Sequence, residues 1–531
     1  MKKKIVLLAS VLVFALLLWE AAAHHTSSVM DVSRVSEQAC QKIRKKRTEM
    51  TDPSRAKLLV NGVEAAWEQT EGRYYISQSL SEGYWKGVLT AQVDGQEVSA
   101  VFEENDGFKD MNQSIQDGTV FHCLVYTDSE YAEVPVLFTG MPVLSIDGNM
   151  GEDGTTIRLL DPVFAASGEY DVLNSHAYYN IRGNASKRFE KLGYRLDLLS
   201  DDGSASRKES LLGMRKDDNW QLKAMYSDRS KLRDKLSIEL WNQIADRTET
   251  KTDAGCKMEY VELVLNGEYR GLYGLVEPTD YKSLSLDKTK DLIYKVGNDE
   301  WPDDDLFAES NAVQSFTCGG INIKKGGKDW YDGIWTPFQT FWNSGYNMES
   351  EADLETLYSC IDRQNFINYD LYYNAIAGMD NRFKNIFYST EMHADGTFTI
   401  RRIPWDQNYS WGDDFEQGED KDIKNIRYNP ELTTRWLNEE VFRNMQAFDT
   451  ALPADMKATW DSWRADFLTE DTWKSYAREQ MAYLVDSGAF GRDTVRWSDS
   501  ENVEGTAEIE SYIDTRFAFL DNYLADLTIN N

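Results

Sequence analysis

Apolar and polar positions change rhythm several times along the chain, and each change marks a different kind of structure. Met1 to Trp19 opens with lysines and continues as an apolar run of about fifteen residues. This is the pattern of a signal peptide or an uncleaved membrane anchor, so residues 1–25 are expected to direct export. No cysteine follows the run, which excludes a lipoprotein anchor, while Ala21-Ala22-Ala23 offers small residues for cleavage. Residues 26–55 are polar and charged and read as a tether or a short solvated helix. From 56 to 138 short apolar runs such as Lys57-Leu58-Leu59-Val60 and Val98-Ser99-Ala100-Val101-Phe102 alternate with turn pairs such as Asn61-Gly62 and Asp94-Gly95. The alternation predicts a small all-β, sandwich-like domain without a cluster of chemistry-bearing residues.

A larger mixed α+β segment starts near Pro142-Val143-Leu144-Ser145-Ile146. Strands are expected at 177–181, 194–198, 260–265 and 269–275, the last two joined by an Asn266-Gly267 turn. A helix is expected from Arg229 to Ile244, capped by Asp228, because Leu232, Leu236, Leu240 and Ile244 recur every four residues. After Glu277-Pro278 helical spacing dominates, first over 364–377 and then from about Pro430 to Leu527. The division expected is therefore a strand-rich first lobe at 139–280 and a helix-rich second lobe at 281–531.

Net charge is −32, and such an excess of carboxylates repels nucleic-acid phosphates and anionic lipid surfaces. Nucleic acid is excluded as a partner on this ground, a basic protein substrate is compatible, and a membrane enters only through the N-terminal segment. Cys40, Cys123, Cys256, Cys318 and Cys360 show no zinc spacing, and their odd number leaves at least one thiol unpaired or paired between chains.

Chemistry concentrates in Met379-Asp380-Asn381-Arg382-Phe383-Lys384-Asn385, which follows a predicted helix ended by Gly378. Its D-x-x-x-x-N spacing supplies what phosphoryl transfer needs: a carboxylate to orient the acceptor hydroxyl (Asp380), a cation near the phosphate (Arg382) and an amide oxygen for magnesium (Asn385). A hairpin turning at Ala394-Asp395-Gly396 then leads into Pro404-Trp405-Asp406-Gln407-Asn408. Asp406 stands where a metal-binding aspartate is wanted, and Asn408 adds an oxygen or bonds within the turn. Glu239 lies on the apolar side of the predicted helix and calls for a cation, for which Lys191 and Arg195 are the candidates. Arg182-Gly183-Asn184-Ala185-Ser186 either covers phosphates with backbone amides or is a tight polar turn. No G-x-G-x-x-G and no P-loop occurs, so the pattern excludes an ordinary protein kinase.

Taken in order, Arg182–Ser186, Lys191–Leu196, Leu211-Leu212-Gly213-Met214 with Asn219-Trp220, Ser227–Arg233, Val261–Tyr273, Met379-Asp380-Asn381 with Lys384-Asn385, and Pro404-Trp405-Asp406 resemble the spore coat protein H (CotH) kinase family. The resemblance covers roughly 140–415, with the helical tail completing the domain. It implies a divergent protein-kinase-like two-lobed fold and Mg2+- or Mn2+-dependent transfer of the ATP γ-phosphate to Ser or Thr of proteins. The two essential aspartates it implies correspond to Asp380 and Asp406. Two positions depart from the family's pattern: Asn408 stands where members often have a second Asp, and Arg195 where they tend to have Lys. An exported kinase meets little free ATP, so the competing expectation is a catalytically weak or inactive cell-surface binding or structural protein on the same scaffold.

Overall fold

The computed structural model describes residues 33–529 apart from 81–86, 153, 165–169, 184, 248–254, 298–299, 325–332, 383 and 418–422. The leader expected at 1–25 lies outside the described residues. Among them, no helix is long and apolar enough to cross a membrane. The fold is mixed α+β, β-rich at the N-terminal end and helical towards the C-terminus. Two compact units divide it. One comprises the described residues through Ala224 with Tyr260–Leu275 and Ala482–Ser498; the other comprises Met225–Glu259, Val276–Met481 and the residues from Asp499 onward.

In the first unit, strands between residues 34 and 139 join one ten-stranded sheet. Its central hydrogen-bonded pairs are Gln96–Glu103 with Val120–Tyr126, and Val120–Tyr126 with Glu130–Thr139, both antiparallel. The turns Asn61-Gly62 and Asp94-Gly95 carry positive φ at both residues (47° and 80°, 52° and 77°), the conformation that two-residue hairpins favour. The segment read as a tether joins this sheet: helix Glu37–Lys45 is capped by Ser36 and buries Cys40, and Arg34–Val35 and Thr48–Glu49 pair with sheet strands. A closed seven-stranded barrel follows, in the order Val143–Asp147, Thr155–Asp161, Asp171–Arg182, Gly193–Leu199, Asn219–Lys223, Glu268–Val276, Met258–Leu265. Its core of Leu144, Ile157, Leu196, Leu198, Trp220, Leu263 and Leu275 is separate from the sheet's core of Leu58, Ile76, Phe102, Phe121 and Phe138.

In the second unit, five antiparallel strands order as Thr317–Cys318, Ile321–Ile323, Leu292–Val296, Ile386–Met392, Phe398–Pro404. The predicted hairpin is the last pair, with Ile386 opposite Pro404 and Met392 opposite Phe398. Helix Arg363–Ile376 begins at Asp362, whose carboxylate accepts from the Asn365 N–H, and nearly all of it is buried. Its left-handed terminal residue is Ala377 (φ 48°), not Gly378. A Cβ at Gly378 would sit 3.1 Å from Asn381 Oδ1, a tight approach that the Asn381 side chain would have to relax. The helix expected from Arg229 runs instead over Arg233–Ala245. Lys231 adopts φ 63°, which interrupts helical geometry, and Asp228 reaches past that turn to the Arg233 N–H at 2.8 Å. All five cysteines are buried and outside any disulfide.

Candidate functional site

Two neighbouring segments of the second unit build the site: the loop between helix Arg363–Ile376 and strand Ile386–Met392, and the chain leaving strand Phe398–Pro404. Asn381, 1 % exposed, stitches them together. Its Nδ2 donates to Trp405 O at 2.7 Å and to Asn385 O at 3.3 Å, while the Trp405 N–H donates to Asn385 O at 3.0 Å. Asn385 itself is left-handed (φ 57°) and its N–H donates to Val296 O on the adjacent strand. Asp406 is left-handed as well (φ 61°), a conformation that costs a non-glycine residue roughly 1–2 kcal/mol and persists only where the surroundings over-determine it.

These contacts gather the charged groups. Lys384 Nζ lies 2.9 Å from Asp380 Oδ1, and Asn385 Nδ2 donates to Asp380 Oδ2 at 2.9 Å. Burial pushes the Asp380 carboxyl above the usual range; Lys384 and Asn385 oppose that rise, and the negative charge of Asp406 adds to it. The charge of Asp406 is thus felt at Asp380, and the two segments are tied through the Trp405 N–H bond to Asn385 O. Tyr409, 6 % exposed, senses both. Burial pushes its hydroxyl up to about 12, with Ser227 opposing and Asp380 and Asp406 reinforcing the shift.

The arrangement suits a small hard cation. Mg2+ takes one or two carboxylates together with substrate phosphates and water rather than an all-protein cage. No group of three or more His, Cys, Asp or Glu able to hold a metal occurs among the described residues. Asp406 and the Asn385 amide carry oxygen donors of the kind Mg2+ takes. A cation nearby would relieve the raised proton affinity of the Asp380 carboxyl.

The remaining predicted residues fall elsewhere. Asn408 Nδ2 donates to Ser227 Oγ at 2.9 Å, so its amide braces the turn. Arg382 is half-buried in the same loop, where its charge opposes the upward shift of the buried Tyr373 hydroxyl. Lys384 is a cation paired with Asp380. Glu239 accepts from Gln243 Nε2 at 2.8 Å within its own helix. The expected partners of Glu239 are engaged in the other unit, which corrects that pairing. Lys191 is fully buried, its Nζ 2.6 Å from Asp493 and 2.5 Å from Leu272 O. Arg195 is exposed and pairs with Asp197 at 2.8 Å and Asn219 at 2.6 Å. Arg182 ends a barrel strand opposite Gly193. After it, Gly183 takes φ 106°, where a Cβ would collide with Ser186 Oγ.

Sequence reasoning gave no role to Lys384, Tyr409 or Ser227. Only Lys384 carried a signal, its spacing of four from Asp380. Ser227 is distant in sequence, and Tyr409 lies within the turn that follows Asp406.

A family model described as CotH kinase protein matches residues 179–530, and the chain belongs to that family. The match begins later than the expected residue 140 and takes in the helical tail. No curated protein matches the chain.

Proposed function

We propose that this chain is an exported, atypical protein kinase that transfers the ATP γ-phosphate to Ser or Thr side chains of proteins on a divergent protein-kinase-like, two-lobed fold. What supports the reading is that Lys384 and Asn385 both bond to Asp380 and that the residue before Asp406 is tied to the same loop through its N–H to Asn385 O. Membership of the CotH kinase family supports it.

In this reading Asp380 orients the acceptor hydroxyl and takes its proton as the hydroxyl oxygen bonds to the γ-phosphorus. The bond from that phosphorus to the β,γ-bridging oxygen breaks, and ADP leaves. Asp406 and Asn385 would hold Mg2+ or Mn2+, which when bound supplies charge neutralisation on the phosphates. Lys384 keeps positive charge beside Asp380 and the incoming phosphate, and Arg382 adds to the potential of the loop. The net charge of −32 favours encounter with basic acceptor proteins. Residues 1–25 place the product outside the membrane, either released or tethered.

The test is incubation of the purified protein with γ-labelled ATP, Mg2+ or Mn2+ and a generic basic protein. Label in the acceptor or in the enzyme, abolished by Asp380→Ala and by Asp406→Ala, is the expected result. No label in any would leave a binding or structural protein on a kinase-like scaffold, and equal label in wild type and both variants would remove Asp380 and Asp406 from the chemistry.

A further inference from the structure

The chain immediately after Asp406 is gripped by one helix end. Gln407 donates its backbone N–H to Asp234 Oδ1 at 3.0 Å, and Asp234 is 2 % exposed in the first turn of helix Arg233–Ala245. From the same turn, Arg233 Nε donates to Ser410 O at 3.0 Å and Arg233 Nη2 lies 2.9 Å from Asp413. One turn on, Ser237 Oγ accepts from Trp411 Nε1 at 2.9 Å and lies 3.2 Å from Ser410 Oγ. Both ends of the gripped segment are left-handed, Asp406 at φ 61° and Trp411 at φ 51°. Such a backbone needs outside bonds to hold it.

Among these contacts the Asp234 bond differs in kind. It holds the peptide plane between Asp406 and Gln407, and that plane is set by the ψ angle of Asp406. Fixing the plane fixes the direction in which the Asp406 side chain leaves the backbone. The bond is charge-assisted and buried, so it is short-range and directional. Arg233 and Ser237 act further along, at Ser410, Trp411 and Asp413.

We propose that Asp234 is a positioning residue for the metal site, holding Asp406 at the angle from which its carboxylate meets a divalent cation. The proposal rests on the reading of Asp406 as a metal ligand. Removal of Asp234 acts on cation affinity, where residues that orient a ligand from behind commonly count for a factor of about 10–100.

The test is Mn2+ titration of the full chain in the presence of a fixed amount of a non-hydrolysable ATP analogue, followed by electron paramagnetic resonance of the free ion, so that turnover plays no part. Asp234→Ala is expected to weaken Mn2+ binding by about tenfold or more. Asp234→Asn, which keeps the accepting oxygen, retains most of the affinity. Ser237→Ala, which loosens the same helix contact away from Asp406, leaves it unchanged. Should Asp234→Ala fail to fold in a thermal melt, Asp234→Ser takes its place, since a serine hydroxyl is too short to reach the Gln407 amide. Wild-type affinity in the Ala or Ser variant overturns the proposal, as does an equal loss in Ser237→Ala, which would reduce the role to packing. If Asp406→Ala binds Mn2+ as wild type does, the metal-site reading itself falls and takes the positioning role with it.

Discussion

Lys384 reaches Asp380 across four residues with no helix to align them, because the loop is folded by Asn381 and Asn385. The pair is partly exposed, 33 % for the lysine and 17 % for the aspartate, so its contribution to stability is about 0–1 kcal/mol. A contribution to chemistry is not limited in that way. Lys384→Met is expected to lower the phosphotransfer kcat by about 10²-fold while shifting the thermal midpoint little. Unchanged kcat with an intact fold would remove Lys384 from the chemistry. At this scale the sequence was informative where chemistry sits at fixed spacing, as in Asp380 with Asn385, and silent where partners meet through the fold. Lys191 and Asp493 are 302 positions apart and Asp234 and Gln407 are 173 apart. No local pattern pairs them. The cation assigned to Glu239 therefore went wrong: an apolar-side carboxylate calls for a partner, and an amide of its own helix, Gln243, supplies one.

Among the elements, the hairpins were the most legible, because Asn-Gly and Asp-Gly pairs dictate positive φ and strand alternation fixes the faces. Helix limits were less so. Helix Arg363–Ile376 buries Asn365, Asn368, Asp370 and Asn374 along with its apolar residues, so its polar positions do not mark a solvent face. Those side chains are bonded instead: Asn365 exchanges bonds with the Arg402 backbone, and Asn374 with Leu437. Next to this helix, Asp449 collects the Tyr358 hydroxyl at 2.5 Å and Arg363 Nη2 at 2.7 Å. Burial raises the Asp449 carboxyl, but those hydrogen bonds outweigh it and leave the pKa below its ordinary value. A depressed folded-state pKa contributes stability that is full above the unfolded value, near 4, and is lost as pH falls through the folded one. Asp449→Asn is thus expected to melt earlier than wild type at pH 7, and the gap should close as the pH is lowered below about 4. Melting curves across that range check it; a gap that persists or widens in acid would contradict the linkage.

At the scale of the whole molecule, the family match over residues 179–530 joins the barrel's later strands to the helical tail. The sheet formed between residues 34 and 139 lies outside that match. Its β character was legible from alternation, whereas the inclusion of residues 34–49 was not, since a charged helix and two-residue strands look like a tether until Cys40 is seen to be buried. Asp380 and Asp406 stood out as candidates because they follow a helix and a hairpin of recognisable pattern, whereas the bond from the Gln407 N–H to Asp234 comes from a third element, helix Arg233–Ala245. The central claim is that Asp380 and Asp406 form one cation–phosphate site. The most direct measurement is thermal unfolding of wild type, Asp380→Asn and Asp406→Asn with and without Mn2+ and ATP together. A ligand at a hundred times its dissociation constant stabilises the folded state by about 2.7 kcal/mol, so wild type should melt measurably later with Mn2+–ATP. Asp406→Asn should lose most of that rise. No rise in wild type, or the same rise in both variants, would contradict the account.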